Sequence, residues 1–200
     1  MPIHQVEFNM IITALGMMCA MVQGLTGAYA GFYRKRVALL RTDDILNRAH
    51  RAFGGFATTL YLLGLFAGIN GIIGAFTRNE PPLELSNASF NIHTWGSFVV
   101  LAIFIWKTYH SYFDKKPLFG RKKWLGQAMF AAWAFNWITA AVSYYVRTQP
   151  DNLQHPAPVF LLPYSLMGLQ IALPFILGGL IGWLIIRQSA TEREARQEQS

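Results

Sequence analysis

The side chains richest in chemistry in this 200-residue chain are five histidines: His4, His50, His93, His110 and His155. Imidazole can ligate a metal through either ring nitrogen, relay a proton, or hydrogen-bond across an apolar interface. Three of the five sit at the mouths of apolar runs: "RAHRAFGGF" around His50, "NIHTWGSF" around His93 and "KTYHSYF" around His110. An ionisable group inside or at the edge of lipid is costly and reads as functional by default. Glycine beside His50 and His93 would let a flat macrocycle or another backbone approach closely. His110 falls in an aromatic and basic belt of the ordinary interfacial kind. His155 stands in the proline-flanked "DNLQHPAPVF" and His4 in the opening residues, where a structural or surface role is the plain reading.

The spacing of these residues limits the metals they could hold. His93 and His110 lie seventeen residues apart, roughly 25 Å along a helix at 1.5 Å per residue. They also sit about 100° apart around it, so they do not share a face. No cysteine or carboxylate cluster accompanies the histidines, which disfavours zinc or a di-iron centre. Haem fits better: imidazole is a good axial ligand, the ring is apolar, and a helix bundle can supply ligands from facing helices. There is no CxxCH motif, so any haem would be b-type. The candidate ligands are His50, His93, His110 and His155, with His50 and His93 the leading iron ligands. Met10, Met17, Met18 and Met21 crowd the first run, although filling gaps is the commoner use of methionine.

The elements that must position these residues follow from composition. The chain is 53% hydrophobic and 14% charged, with positive mean hydropathy, against roughly 25% charged residues in ordinary globular domains. Five runs are long enough for a helix that crosses lipid, which takes about 20 apolar residues. They lie near 9–32, 52–75, 91–113, 124–146 and 158–186, followed by a polar tail over 187–200. The expected fold is an all-α integral membrane protein, a five-transmembrane-helix bundle forming one domain over 1–200. The opening nine residues hold no Lys or Arg and carry Glu7, unlike a signal peptide, so the first run is expected to be a retained helix. The fifth run contains Pro163 and Pro174 and is expected to tilt or kink. No carboxylate is expected inside the bundle.

Charge sets the expected threading. Of seventeen Lys and Arg residues, all but Arg78 and Arg147 fall in the segments after the first and third runs, in the tail, or at Lys107 on the same side. Positive residues stay cytoplasmic, which predicts the N-terminus outside and the C-terminus inside. The formal charge of +7 is thus explained by topology, and nucleic acid is not expected as a partner. Residues 37–51, "VALLRTDDILNRAHR", have the pattern of a short helix lying on the membrane surface. The stretches "GLTGAYAG" and "ILGGLIGW" are rich in the small residues that lipid-embedded helix contacts favour. The single cysteine, Cys19, excludes an intramolecular disulfide. Phosphate-cradling loops, nucleophile elbows and metalloprotease pairs are absent from the sequence. Transport is disfavoured because no inverted pair of interrupted helices is visible. Asn70, Gln127 and Asn136 are amides that interhelical hydrogen bonding would explain.

From Arg48 to Val146 the chain resembles a family of short bacterial membrane proteins related to cytochrome b561. The resemblance rests on His50 with Gly54–Gly55 at the opening of the second run, on "GINGIIG" at its end, and on His93 opening the third. It implies a b-type haem bundle that moves electrons, with His50 ligating an inner-side haem and His93 an outer-side haem. The family pattern places a further histidine at the start of the fourth helix. Here "KKWLGQAMF" stands instead, with Gln127 and Met129, so His110 would have to complete the His50 site, and His155 or a residue from elsewhere the His93 site.

Two functions follow as expectations. One is a b-type cytochrome-like electron-transfer subunit holding one or two haems, with a quinone as its expected small-molecule partner and no pocket for it identified. The other is a haem-free accessory subunit within a larger respiratory or photosynthetic membrane complex. Both place the chain in a lipid bilayer, expected to be the bacterial inner (cytoplasmic) membrane, against membrane-protein partners or further copies of itself.

Overall fold

The computed structural model describes residues 5–32, 44–79, 88–113, 122–148 and 160–198. Among them lie five long helices, one short 3-10 turn and no strand. Helix α1 spans Gln5–Phe32, α2 Ile45–Thr77, α3 Ala88–Tyr112 and α4 Lys122–Arg147. The turn Tyr164–Leu166 leads straight into α5, Met167–Glu198. Lipid offers no partner to a peptide group, so each apolar run closes its own hydrogen bonds as helix.

Two boundaries differ from the sequence expectation. α2 opens at Ile45 rather than near 52, because Asp44 caps it: the carboxylate accepts from the Asn47 N–H at 2.9 Å. Leu46 is fully buried beside Ala30, Ile185 and Ile186. Residues 45–51 are therefore the first turns of α2 and not a separate surface helix; residues 37–43 of that expectation lie outside the described residues. At the other end of the chain, the fifth helix does not start at 158. Pro163 is extended (φ −64°, ψ 162°) and the 3-10 turn begins only after it. Pro174 lies inside α5, as expected, and the polar tail continues that helix to Glu198.

α1 is the hub, packing on α2, α4 and α5, while α4 packs on α1 and α3. The core forms where α1 and α4 meet, from Met10, Met17 and Ala20 on one side and Met129, Trp133 and Trp137 on the other. α5 comes close to α1 through Gly178, where an added Cβ would stand 2.6 Å from the Met18 carbonyl oxygen. α2, α3 and α5 turn large apolar side chains outward, among them Phe66, Ile73, Trp95, Val99, Ile176 and Leu180. Such faces suit lipid rather than water.

Four stretches among the described residues are long and apolar enough to cross a membrane: Val6–Gly31, Ile45–Thr77, Ala88–His110 and Tyr164–Glu192. The chain is an all-helical protein with the makings of an integral membrane bundle. α4, expected as a further span, is helical over the expected length but falls short in apolarity. Gln127, Asn136 and its tryptophans and tyrosines dilute it. It compensates by burial, with Trp133, Trp137, Ala141 and Tyr145 almost wholly enclosed.

A carboxylate sits inside after all. Glu7 is only 2% exposed, and its Oε1 accepts from the backbone N–H groups of Phe160 and Leu161, the latter at 3.0 Å. The next N–H, of Leu162, donates to Gln170 Oε1 at 3.2 Å, and the Leu162 carbonyl accepts from Tyr145 Oη at 2.7 Å. Side chains of α1, α4 and α5 thus meet the needs of a non-helical lead-in that has no ladder of its own. Replacing Glu7 by Ala strands two N–H groups, each costing about 1–3 kcal/mol when buried. E7A should therefore lose about 2–5 kcal/mol in detergent unfolding, whereas E7Q, which keeps an acceptor oxygen, should lose about half as much or less.

Candidate functional site

His50 lies on the second turn of α2 and points at α1. Its Nδ1 is 3.0 Å from Thr26 Oγ1. That hydroxyl has one proton, and it is directed to the helix's own carbonyls, Val22 at 2.8 Å and Gln23 at 3.1 Å. Thr26 can then only accept from the ring. With the hydroxyl proton so placed, the matching tautomer of His50 carries its proton on Nδ1, and the ring also lies against the Gln23 backbone. The ring seats against Gly27, where an added Cβ would stand 3.0 Å from Cε1. Any side chain at 27 would push the imidazole away, so here the glycine is required by a close approach.

His93 repeats the arrangement on the other helix pair. Its Nδ1 is 3.1 Å from Thr139 Oγ1 on α4, and Thr139 Oγ1 donates to the Phe135 carbonyl at 2.8 Å. The same logic leaves Nε2 of His93 as a lone pair. Around it the amide Asn136 and the hydroxyl of Ser97 join α3 to α4: Ser97 Oγ reaches Asn136 Oδ1 at 3.0 Å and the His93 carbonyl at 2.7 Å. Asn136 therefore does the interhelical work expected of it.

The two imidazoles occupy opposite ends of the bundle. Between them Tyr61 of α2 stacks on Phe104 of α3, with ring centroids 4.5 Å apart, and stands edge-on to Trp133. Tyr61 Oη also donates to the Ser97 carbonyl at 3.2 Å. This brace connects the two helices at mid-height. His50 is eleven residues, or about 16 Å of helical rise, from Tyr61. Among the described residues, Lys107 lies in electrostatic reach of His50 and Arg147 in that of His93. The Arg147 guanidinium rests over the Phe90 ring, 4.6 Å from its centroid.

The structure does not bring the four candidate ligands into one site. Among the described residues, no second histidine pairs with His50 or with His93. His110 sits on α3 edge-on to Trp106 and Tyr109, with centroids 5.7 and 5.5 Å away, in the aromatic belt expected for it. His155 and His4 lie outside the described residues. Among the described residues no three His, Cys, Asp or Glu side chains cluster as a metal site. Met10 and Met17 pack into the apolar core, as gap-fillers do. Sequence reasoning missed the two threonines, because each lies far along the chain from its histidine and looks like any small polar residue in a helix.

No family model matches the chain, and no characterised protein or solved structure is significantly similar to it.

The tautomers give a direct check. In 15N-histidine-labelled protein, two resonance pairs should report Nδ1-protonated neutral rings. T26V should shift only the His50 pair toward the Nε2-protonated form, and T139V only the His93 pair.

Proposed function

We propose that the chain is a b-type cytochrome-like electron-transfer subunit in which His50 and His93 each offer one axial ligand to a haem, at opposite ends of the bundle. The observation that carries this reading is the repeated His–Thr pair. Histidines that ligate metals commonly donate their second ring proton to a fixed acceptor, which sets ring orientation and leaves the other nitrogen free. Both imidazoles have that preparation, in an apolar surrounding that would suit a porphyrin. The donor set fits one axial bond at each end. Bound haem would supply one-electron exchange at its iron; the chain's own residues would orient the ring and exclude water. Thr26 and Thr139 hold the tautomer, and Gly27 gives the His50 ring its seat.

The rest of the reading follows the charge pattern and the resemblance. α4 is taken as a fifth span, buried by its neighbours, with the N-terminus outside and the C-terminus inside a bacterial inner membrane. A quinone is the small molecule proposed to exchange electrons with it, and other membrane proteins or copies of the chain would cover its apolar faces.

A second reading, a haem-free accessory subunit, is favoured by one specific observation: among the described residues no second histidine pairs with His50 or His93, and Gln127 and Met129 stand where the resembled family has its further ligand. Dithionite-minus-oxidised spectra of protein purified from haem-sufficient cells separate the two. Electron transfer requires the Soret and α/β bands of haem b, with H50A and H93A each removing one haem equivalent. A colourless, stoichiometrically haem-free preparation would establish the accessory reading. Threading is checked separately. In a C19S background, a cysteine replacing Ser200 should react with a membrane-impermeant maleimide only after the cells are permeabilised.

A further inference from the structure

We propose that the chain pairs with a second copy of itself through the outward face of α2, where the two Asn70 amides hydrogen-bond to each other. The pairing stands apart from the haem reading. α2 carries two seams on opposite faces. The inner one, His50, Gly54, Ala57, Tyr61 and Gly64, is filled by neighbouring helices. His50 meets Thr26, Gly54 meets the Gln23 amide, Gly64 meets Asn9, and Tyr61 stacks on Phe104. Asn70 comes nine residues after Tyr61, about half a turn round the helix at 100° per residue, and so points away from the bundle. In line with it run Thr59, Leu63, Phe66, Ile73 and Thr77, at alternating spacings of four and three residues, and all six are exposed. Phe66 and Ile73, which bracket the amide, are 67% and 54% exposed.

The amide decides what covers this face. No charged residue stands between Arg51 and Arg78, and Asn70 lies about 12 Å of helical rise inside Arg78. A threonine at such depth returns its one proton to its own helix, as Thr77 does to the Gly74 carbonyl at 2.8 Å. An amide has two donors and an acceptor oxygen, more than its own helix can meet, and lipid tails meet none of them. Asn136 finds its partner in Ser97 on the facing helix. Among the described residues none hydrogen-bonds the Asn70 side chain. A second copy supplies the match by construction: each Asn70 amide N–H donates to the amide oxygen of the other. Copies inserted with the same threading pair about an axis along the membrane normal, which sets the two α2 helices parallel with Asn70 opposite Asn70. One asparagine in an apolar seam of this spacing is the device that fixes register in parallel two-stranded coiled coils. The small residues Ala67 and Gly71 beside it leave room for the helices to approach.

The full chain in phosphatidylcholine liposomes tests the pairing. With C19S and S200C in place, donor and acceptor dyes on the tail cysteine report association as the protein-to-lipid ratio is varied. Energy transfer should saturate as expected for a dimer. N70L should weaken association on the order of ten-fold, the effect of losing two interhelical hydrogen bonds, and N70Q should keep most of it. In a C19S background I73C should form a disulfide dimer with copper phenanthroline. V99C, equally open to lipid but on α3, should stay monomeric. A chain that is monomeric at every ratio overturns the proposal, as does association that N70L leaves unchanged. Cross-linking of V99C as readily as I73C does the same by showing random encounter. A lower melting temperature of monomeric N70L also overturns it, since the amide would then be held within its own chain. In native membranes I73C should capture its own copy; capture of a different protein in its place overturns the choice of partner.

Discussion

The bundle depends on a carboxylate that an apolar helix keeps out of water. Glu7 ties the start of α1 to the lead-in of α5, more than 150 residues later in the chain. Inside lipid a backbone that leaves the helix must find every partner from side chains, and the lead-in finds them in Glu7, Gln170 and Tyr145. With that end anchored, α5 can settle on α1 at the Gly178 contact, and α1 becomes the shared wall for α2, α4 and α5. Glu7 is thus a membrane-buried acid with a structural partner.

The same rule of satisfying polar groups internally shapes the histidines. Threonine in a lipid-facing helix commonly returns its hydroxyl proton to a carbonyl one turn back. At Thr26 and Thr139 that habit turns the oxygen into a fixed acceptor, and each facing imidazole answers with its Nδ1 proton. The result is two rings of defined orientation. Their separation by the Tyr61–Phe104 stack makes the bundle two-ended.

Much of this was legible in the sequence. Long apolar runs declared the helices, and the glycines of "ILGGLIGW" declared a close contact, which proves to lie within the chain at Gly178 and Gly182. His50 and His93 stood out because imidazole is rare in such company, and both are held in specific hydrogen bonds. Their acceptors could not be read, since sequence separation hides which helix faces which. Glu7 was hidden for the same reason: nine residues without a basic charge look extramembrane until the far end of the chain folds back on them. The start of α2 was misplaced because hydropathy marks where lipid begins, whereas a helix begins at its cap, here Asp44.

α4 has the weakest claim on lipid of the five helices and the deepest place in the fold. A segment with Gln127, Asn136 and several aromatic amphiphiles gains less by partitioning alone than its neighbours do. Its hydrogen-bonding groups are met by Ser97 and by the Ile171 and Leu162 carbonyls, which belong to α3, the start of α5 and its lead-in. During synthesis α3 emerges just before α4, while the other two partners emerge last. α4 is therefore made as half of a hairpin with α3 and waits, partly unsatisfied, for the final helix to arrive. Biogenesis of this chain is consequently most exposed to interruption between those two events, when a chaperone or an assembly partner would have an unfinished polar face to hold.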